Sequence, residues 1–182
     1  MLLANYRTGS SALNTLLGVE NNLTVFYEPH LRPAAMQDLV DMVNKGESSF
    51  IVKFMPDQLD KHEIYKTLYN SNCYKIRLTR SDKVAQILSY YVADMTKVWN
   101  HEDPDIRGTD YFISVKDELI DVAIDRILKV DKLLKDSSTI FDQELVYESL
   151  NLEGSHVSKL IAPKNYLRLY SYIEKKLQNK ML

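Results

Sequence analysis

The sequence has very few cysteine, glycine and proline residues. Its single cysteine, Cys73, has no partner for an internal disulfide, so we expect a reducing compartment and a cytoplasmic location. Five glycines and five prolines in a chain of 182 residues argue against a long flexible linker. We therefore predict a single domain that covers residues 1–182.

A basic surplus and a long apolar run are also missing. The 23 Lys and Arg residues stand against 25 Asp and Glu residues, which gives a formal net charge of -2. A general nucleic-acid-binding domain usually carries a clear basic surplus, and no apolar stretch approaches the roughly 18 residues that a membrane helix needs. We therefore expect neither nucleic acid nor a membrane as a partner. These absences do not exclude a local basic pocket that binds one anionic ligand.

Short apolar runs alternate with helical patterns along the chain, and this alternation predicts an α/β fold. Continuous apolar runs of this length are typical of strands buried on both faces of a parallel sheet. The predicted strands are Leu2 to Tyr6, Thr24 to Tyr27, Phe50 to Phe54, Tyr74 to Thr79 and Ser138 to Phe141. The predicted helices are Ser10 to Leu17, Ala34 to Asn44, Asp60 to Tyr69, Asp82 to Trp99, Lys116 to Leu134 and a last helix opened by Pro163. We expect a three-layer αβα arrangement around a central parallel sheet, with a loop over residues 100–110.

The segment between the first predicted strand and the first predicted helix is Arg7-Thr8-Gly9-Ser10-Ser11. A helix N-terminus offers unpaired backbone N–H groups to an anion, and a glycine permits close approach of the backbone. The two serines add hydroxyl donors or cap the helix, and Arg7 adds a permanent charge. The segment is not a Walker A motif, which needs two glycines and a lysine. The alternative to an anion site is a solvated turn with a capping serine, but the position directly after a strand favours the anion site.

This segment resembles the Arg/Lys-Ser/Thr-Gly-Ser/Thr-Ser/Thr loop of sulfotransferases. The resemblance implies a P-loop NTPase-like sulfotransferase fold. It also implies that Arg7, Thr8, Gly9, Ser10 and Ser11 bind the 5′-phosphosulfate of the donor 3′-phosphoadenosine 5′-phosphosulfate (PAPS).

A second segment, from Lys75 to Ser89, resembles the 3′-phosphate element of the same family. Its Arg-x-Asp-x-x-x-Gln-x-x-Ser pattern is closest to the bacterial trehalose-sulfotransferase branch. The resemblance implies that Arg80 and Ser89 bind the 3′-phosphate, although their spacing is one residue longer than in the cytosolic animal enzymes. The alternatives are a surface ion pair for Arg80 and a small packing residue for Ser89.

Glu28 follows the second predicted strand and is our candidate for the general base. Strand ends of a parallel sheet lie along one edge, so Glu28 is expected near the Arg7 loop. Several sulfotransferase branches have a Glu at this point, whereas the cytosolic animal enzymes use a His in a Lys-x-His-x-Pro pattern after strand three. The corresponding segment here keeps Lys53 and Pro56 but lacks that His. His30 is the alternative base because its ordinary pKa suits proton transfer near neutrality.

Lys53 is expected either to reach the sulfonate or bridging oxygen or to face solvent. His62, His101 and His156 lie in no metal-ligand pattern, so we predict no metal. The segment from Phe141 to Leu145 resembles a structural signature that follows the last core strand of the family.

The resulting prediction is a PAPS-dependent sulfotransferase that modifies a hydroxyl or amine of a small-molecule or glycan acceptor. The alternative is a catalytically inactive nucleotide-binding or interaction module on the same fold. It is motivated by the short chain and by the missing Arg-Lys-Gly loop, for which Lys159 and Lys164 are candidate substitutes. A kinase of the related P-loop class is disfavoured by the missing Walker lysine.

Overall fold

A computed structural model describes residues 1–99, 111–137, 140–150 and 162–181. The chain divides into two compact units. The first consists of residues 1–81 and 130–155, and the second consists of residues 82–129 and 156–182. The first unit contains the sheet and every predicted site residue except Ser89. The prediction of one domain over residues 1–182 stays a prediction.

The described residues contain five strands and six α-helices. The strands are β1 (Leu2–Ala4), β2 (Thr24–Tyr27), β3 (Phe50–Phe54), β4 (Ile76–Thr79) and β5 (Gln143–Val146). The α-helices are α1 (Ser10–Glu20), α2 (Pro33–Asn44), α3 (Glu63–Asn70), α4 (Lys83–Thr96), α5 (Asp117–Lys135) and α6 (Tyr166–Met181). Short 3-10 helices occupy Pro29–Leu31, Pro56–Lys61 and Tyr147–Ser149.

The five strands form one parallel sheet in the order β2-β3-β1-β4-β5. The chain leaves β1 toward the β2 edge, whereas it leaves β4 toward the β5 edge. The carboxyl end of β1 therefore lies at a topological switch point, where ligands of open α/β sheets usually bind. The predicted α/β class and the central parallel sheet are confirmed.

Helices cover both faces of the sheet, as a three-layer arrangement requires. Successive strand residues point to opposite faces, so Leu2 and Leu3 enter different cores. Leu3 packs with residues of α2, α3 and the end of α5, and Leu2 packs with Leu13 of α1. Right-handed crossovers that run in opposite directions along the sheet place their helices on opposite faces. The separation of α1 from α2 and α3 is the result of that rule.

The bounds of β2 and β3 match the prediction, but the predicted strand from Ser138 to Phe141 is wrong. Residues 138–139 lie outside the described residues, Ile140 and Phe141 are not in a strand, and the last strand in the described part of the chain is β5. Most β5 side chains are exposed at the sheet edge, so this strand lacks the apolar run of a buried one. The family-like segment from Phe141 to Leu145 thus extends into β5 instead of following it.

The second unit contains α4, the first part of α5, and α6. The carboxylate of Asp82 accepts a hydrogen bond of 2.8 Å from the backbone N–H of Ala85, which confirms the predicted cap of α4. Lys176 of α6 forms an ion pair of 2.9 Å with Asp121 of α5.

Lys164 lies just before α6. The predicted loop over 100–110 and the residues His101, His156 and Lys159 lie outside the described residues. No helix in the described part of the chain is long and apolar enough to cross a membrane.

Candidate functional site

The chain turns sharply between β1 and α1 through two residues with left-handed backbone conformation. Arg7 has φ of 58° and Gly9 has φ of 73°. Glycine adopts this region without cost, whereas a residue with a Cβ pays about 1 kcal/mol. Thr8 is fully buried between them, and its hydroxyl donates a hydrogen bond of 2.8 Å to the backbone oxygen of Asn5. A strained, internally braced turn at a strand end is typical of a ligand-binding loop.

Gly9 is the N-cap residue of α1, so no side chain caps this helix. The first turn of the helix also contains no acidic residue. The first helical hydrogen bond runs from the N–H of Leu13 to the oxygen of Gly9, over 3.1 Å. The N–H groups before Leu13 have no acceptor within the helix, and they lie at the positive end of its dipole. Ser10 and Ser11 are the first helical residues, and neither occupies the capping position that the solvated-turn alternative requires.

A buried polar contact that we did not predict holds the start of this turn. Asn5 is fully buried, and its amide nitrogen donates a hydrogen bond of 2.8 Å to Asp131. The amide oxygen of Asn5 accepts a hydrogen bond of 2.7 Å from the backbone N–H of Tyr6. The Tyr6 hydroxyl donates to Asp57 over 3.0 Å. The turn is therefore tied to α5 and to the segment that follows β3.

Lys53 and Glu28 form an ion pair at the carboxyl ends of β3 and β2. Lys53 Nζ lies 2.7 Å from Glu28 Oε1, and the two side chains are only 7% and 20% exposed. The same ammonium donates a hydrogen bond of 3.2 Å to the hydroxyl of Ser11. Lys53 therefore faces the site, not solvent. It connects the predicted base to the predicted phosphosulfate loop.

Gln58 completes the environment of the Glu28 carboxylate. Its amide nitrogen donates a hydrogen bond of 2.8 Å to Glu28 Oε2, and its amide oxygen accepts one of 2.9 Å from the backbone of Met55. Burial raises the pKa of Glu28, but the charge of Lys53 and the hydrogen bonds from Lys53 and Gln58 outweigh it, so the pKa is lowered overall. Glu28 is thus a carboxylate at neutral pH, held by two donors. Its backbone is left-handed, with φ of 43°.

His30 lies two residues after Glu28 and contacts Tyr65 of α3. The backbone N–H of His30 donates to the Tyr65 hydroxyl over 3.1 Å, and Nδ1 of the ring lies 2.9 Å from the same hydroxyl. Burial lowers the pKa of His30, and the charge of Glu28 opposes this effect only in part. Burial also raises the pKa of Tyr65 to about 12. Both side chains are therefore neutral near pH 7.

Arg80 follows β4 and contacts the Arg7 turn directly. One guanidinium nitrogen donates a hydrogen bond of 3.1 Å to the backbone oxygen of Arg7. Nε of Arg80 lies 3.4 Å from Glu148, and the guanidinium lies 4.8 Å from the centre of the Tyr147 ring. Glu148 also accepts a hydrogen bond of 3.0 Å from the backbone N–H of Ser81. The ion pair that we considered as an alternative role for Arg80 is thus present, next to the predicted phosphosulfate loop.

The structure brings together the residues of the first unit that we predicted as a site. The Arg7 to Ser11 turn, Glu28, Lys53 and Arg80 all lie along the carboxyl edge of the sheet. Ser89 is half-buried on α4 in the second unit, and its pairing with Arg80 stays a prediction.

Gln58, Tyr65 and Glu148 contact site residues, and we did not predict them. The position of Gln58 in the sequence indicates that it lies near the site, because it follows the end of β3 by four residues and strand ends converge at this edge. No sequence feature predicts the contacts of Tyr65 and Glu148.

No protein-family model and no curated protein sequence matches this chain significantly.

Proposed function

We propose that this protein is a sulfotransferase that moves a sulfonate group from PAPS to a hydroxyl or amine of a small-molecule or glycan acceptor. The observation that carries the proposal is the position of the Lys53 ammonium, which contacts both Ser11 of the anion-binding turn and the Glu28 carboxylate. Sulfuryl transfer needs a cation at the transferred group and a base at the acceptor. The site has both groups within hydrogen-bond distance of each other.

The donor is held at its two charged ends in this proposal. The turn from Arg7 to Ser11 binds the 5′-phosphosulfate through the N–H groups at the start of α1 and through its hydroxyls. Arg80 binds the 3′-phosphate. The hydrogen bond from Arg80 to the Arg7 carbonyl supports a common binding edge for both groups. No metal ion takes part.

The transfer is an in-line displacement at sulfur. The acceptor oxygen forms a bond to the sulfur while the bond from sulfur to the bridging oxygen breaks. The acceptor proton passes to Glu28, and the electron pair of the broken bond stays on the 5′-phosphate of the product 3′-phosphoadenosine 5′-phosphate (PAP). Lys53 and Arg7 stabilise the charge that develops on the departing phosphate. An amine acceptor reacts in the same way through its nitrogen.

Donor binding is expected to activate Glu28. In the structure, Lys53 lowers the pKa of Glu28 and makes it a weak base. A bound sulfonate attracts the Lys53 ammonium and weakens its pairing with Glu28. The loss of this partner raises the pKa of Glu28, so the carboxylate becomes a stronger base only when the donor is in place.

A turnover assay with PAPS and a panel of alcohols, phenols, sugars and amines tests this proposal. We expect PAP release with at least one acceptor. Glu28→Gln should abolish turnover without weakening PAP binding, because the carboxylate contacts the acceptor and competes with the donor for Lys53. Glu47→Gln removes an exposed carboxylate away from the site and serves as the control. A fully active Glu28→Gln variant would remove Glu28 from the role of base.

The second candidate function is an inactive nucleotide-binding or interaction module. One observation favours it: Glu28 and Arg80 already have partners within the chain, Lys53 and Glu148. PAP binding without turnover on any acceptor would support this candidate.

A further inference from the structure

His30 and Tyr65 form a polar contact that the proposed reaction does not use. Tyr65 is fully buried on α3 and stacks on Phe54, with 4.5 Å between the ring centres. The ring of His30 packs edge-on against the Tyr65 ring, with 5.7 Å between the centres. The hydroxyl of Tyr65 contacts His30 twice, at the backbone N–H and at Nδ1. Tyr65 therefore fixes the orientation of the imidazole.

The hydrogen-bond donors and acceptors of this contact determine which ring nitrogen of His30 carries the proton. The Tyr65 oxygen accepts the backbone N–H of His30, and it has one proton of its own to donate. If Nδ1 were protonated, two donors would point at this oxygen. The buried phenolic proton would then have no acceptor among the described residues, which is costly. All groups are satisfied only if Nδ1 accepts the phenolic proton and the single ring proton is on Nε2.

We propose that Tyr65 is a positioning residue that holds His30 as the neutral tautomer protonated at Nε2, and that His30 donates this N–H to a substrate oxygen. Within the described part of the chain, Nε2 has no hydrogen-bond partner, and the ring is only half-buried. The lone pair at Nδ1 is occupied by Tyr65, so His30 does not take the acceptor proton. The substrate contact and the assignment of Glu28 as sole base rest on the proposed function, whereas the tautomer does not.

The charges around His30 agree with a neutral ring. Burial is the largest effect and lowers the pKa of His30. Glu28 and Asp57 raise this pKa, Lys61 lowers it, and the net direction is downward. The raised pKa of Tyr65, about 12, keeps the phenolic proton in place at neutral pH. An imidazolium would need a second ring proton at Nδ1, where the phenol already donates.

Long-range ¹H–¹⁵N NMR spectra of the protein labelled with ¹⁵N-histidine distinguish the two tautomers. The His30 signals are assigned with His30→Gln. We expect Nε2 in the protonated range and Nδ1 in the unprotonated range at neutral pH. A His30 ring protonated at Nδ1 in the wild-type protein would overturn the proposal. This spectrum needs no substrate, so an inactive protein does not affect its outcome.

The variant Tyr65→Phe keeps the ring stack on Phe54 and removes only the hydroxyl. We expect a mixture of His30 tautomers, because Nδ1 no longer accepts the phenolic proton. His62 is an internal control, because its Nδ1 accepts a hydrogen bond of 3.2 Å from the backbone of Ile64, and its signals should not change. Unchanged His30 signals in Tyr65→Phe would also overturn the proposal.

Turnover by two His30 variants tests the donor role. The amide nitrogen of His30→Gln lies near the position of Nε2, whereas that of His30→Asn lies near Nδ1. We expect His30→Gln to retain at least about tenfold more kcat/KM than His30→Asn, the value of one hydrogen bond. Equal losses in both variants, together with loss of the basic group from the pH profile, would show that His30 is the base.

Discussion

The guanidinium of Arg80 donates a hydrogen bond of 3.1 Å to the backbone oxygen of Arg7. These residues belong to the two segments that resemble the phosphate-binding elements of sulfotransferases, and 73 positions separate them in the chain. The contact places the end of β4 directly beside the turn after β1. Arg80 and the turn therefore lie side by side along one edge of the sheet.

We expect Glu148→Gln to tighten PAP binding. Glu148 occupies the two groups that an anionic ligand would use there: it forms an ion pair with the guanidinium of Arg80 and accepts a hydrogen bond from the backbone N–H of Ser81. Removing its charge weakens this internal competition, so the Kd for PAP should fall by roughly threefold to tenfold. The measurement is calorimetric titration. Arg80→Ala serves as the opposite case and should weaken PAP binding by roughly tenfold or more through loss of a charge-assisted hydrogen bond.

Glu144→Gln is the matched control for Glu148→Gln, because Glu144 lies nearby on β5 and pairs with Arg77. It removes the same charge and should leave PAP affinity unchanged. If Glu148→Gln binds PAP more weakly than the wild type, Glu148 orients Arg80 and does not compete with the ligand.

Lys53→Met should destabilise the protein more than the double variant Lys53→Met/Glu28→Gln. The single change leaves the Glu28 carboxylate largely buried without its cation, which costs roughly 3 kcal/mol of unfolding free energy. The double change removes both charges. Urea unfolding at pH 7 measures both values, with equal m-values as the check on two-state behaviour. Equal stability of the two variants would mean that the Glu28 carboxylate carries no penalty when Lys53 is absent.

The stability advantage of the wild type over Glu28→Gln should depend on pH. The pKa of Glu28 is lowered in the folded protein, so the folded state binds its proton less readily than the unfolded chain. The carboxylate therefore contributes stability above the ordinary pKa of roughly 4.3, and this contribution disappears as the pH falls through the lowered value. Unfolding free energies of the wild type and Glu28→Gln from pH 7 to pH 3 measure the effect. The difference between the wild type and the control variant Glu47→Gln should stay constant over this range. A difference that grows toward low pH would contradict the sign of the shift.

Gly9→Ala should reduce both stability and PAP binding. Gly9 has φ of 73°, where an alanine costs about 1 kcal/mol, and its new methyl group lies where the backbone would approach the phosphosulfate. Gly46 has nearly the same conformation, with φ of 71° and nothing within 4 Å of an added Cβ. Gly46→Ala should thus lose similar stability and bind PAP normally. The turn has no direct role in binding if Gly9→Ala also binds PAP normally.

The sequence predicted the parts of the fold that depend on local patterns. β3 is a buried strand of the parallel sheet, and its apolar run gave its bounds. β2 lies at one edge of the sheet with only Phe26 buried, and its run of β-branched and aromatic residues gave its bounds. β5 lies at the edge with mostly exposed side chains, so an apolar run was the wrong signal for it. The proximity of Glu28 to the Arg7 turn followed from the strand-end rule, because both residues follow strands of the same parallel sheet.

The finer contacts of the site depend on how distant segments fold back. Gln58 reaches Glu28 from a 3-10 helix, and Glu148 reaches Arg80 from the segment after β5. The position of Gln58 shortly after β3 indicates only that it lies near this edge of the sheet, and Glu148 has no periodic or spacing signal in the chain. The tautomer of His30 depends on Tyr65, which is 35 residues away, and it follows only from three-dimensional geometry.

Calorimetric titration of the wild-type protein with PAP, with ATP as the control ligand, tests the central claim most directly. PAP has both a 5′-phosphate and a 3′-phosphate, whereas ATP lacks the 3′-phosphate that Arg80 is expected to bind. We predict binding of one PAP per chain and at least tenfold weaker binding of ATP, from the loss of one charge-assisted contact. Failure of PAP to bind, or tighter binding of ATP, would contradict the assignment of this edge as a PAPS site.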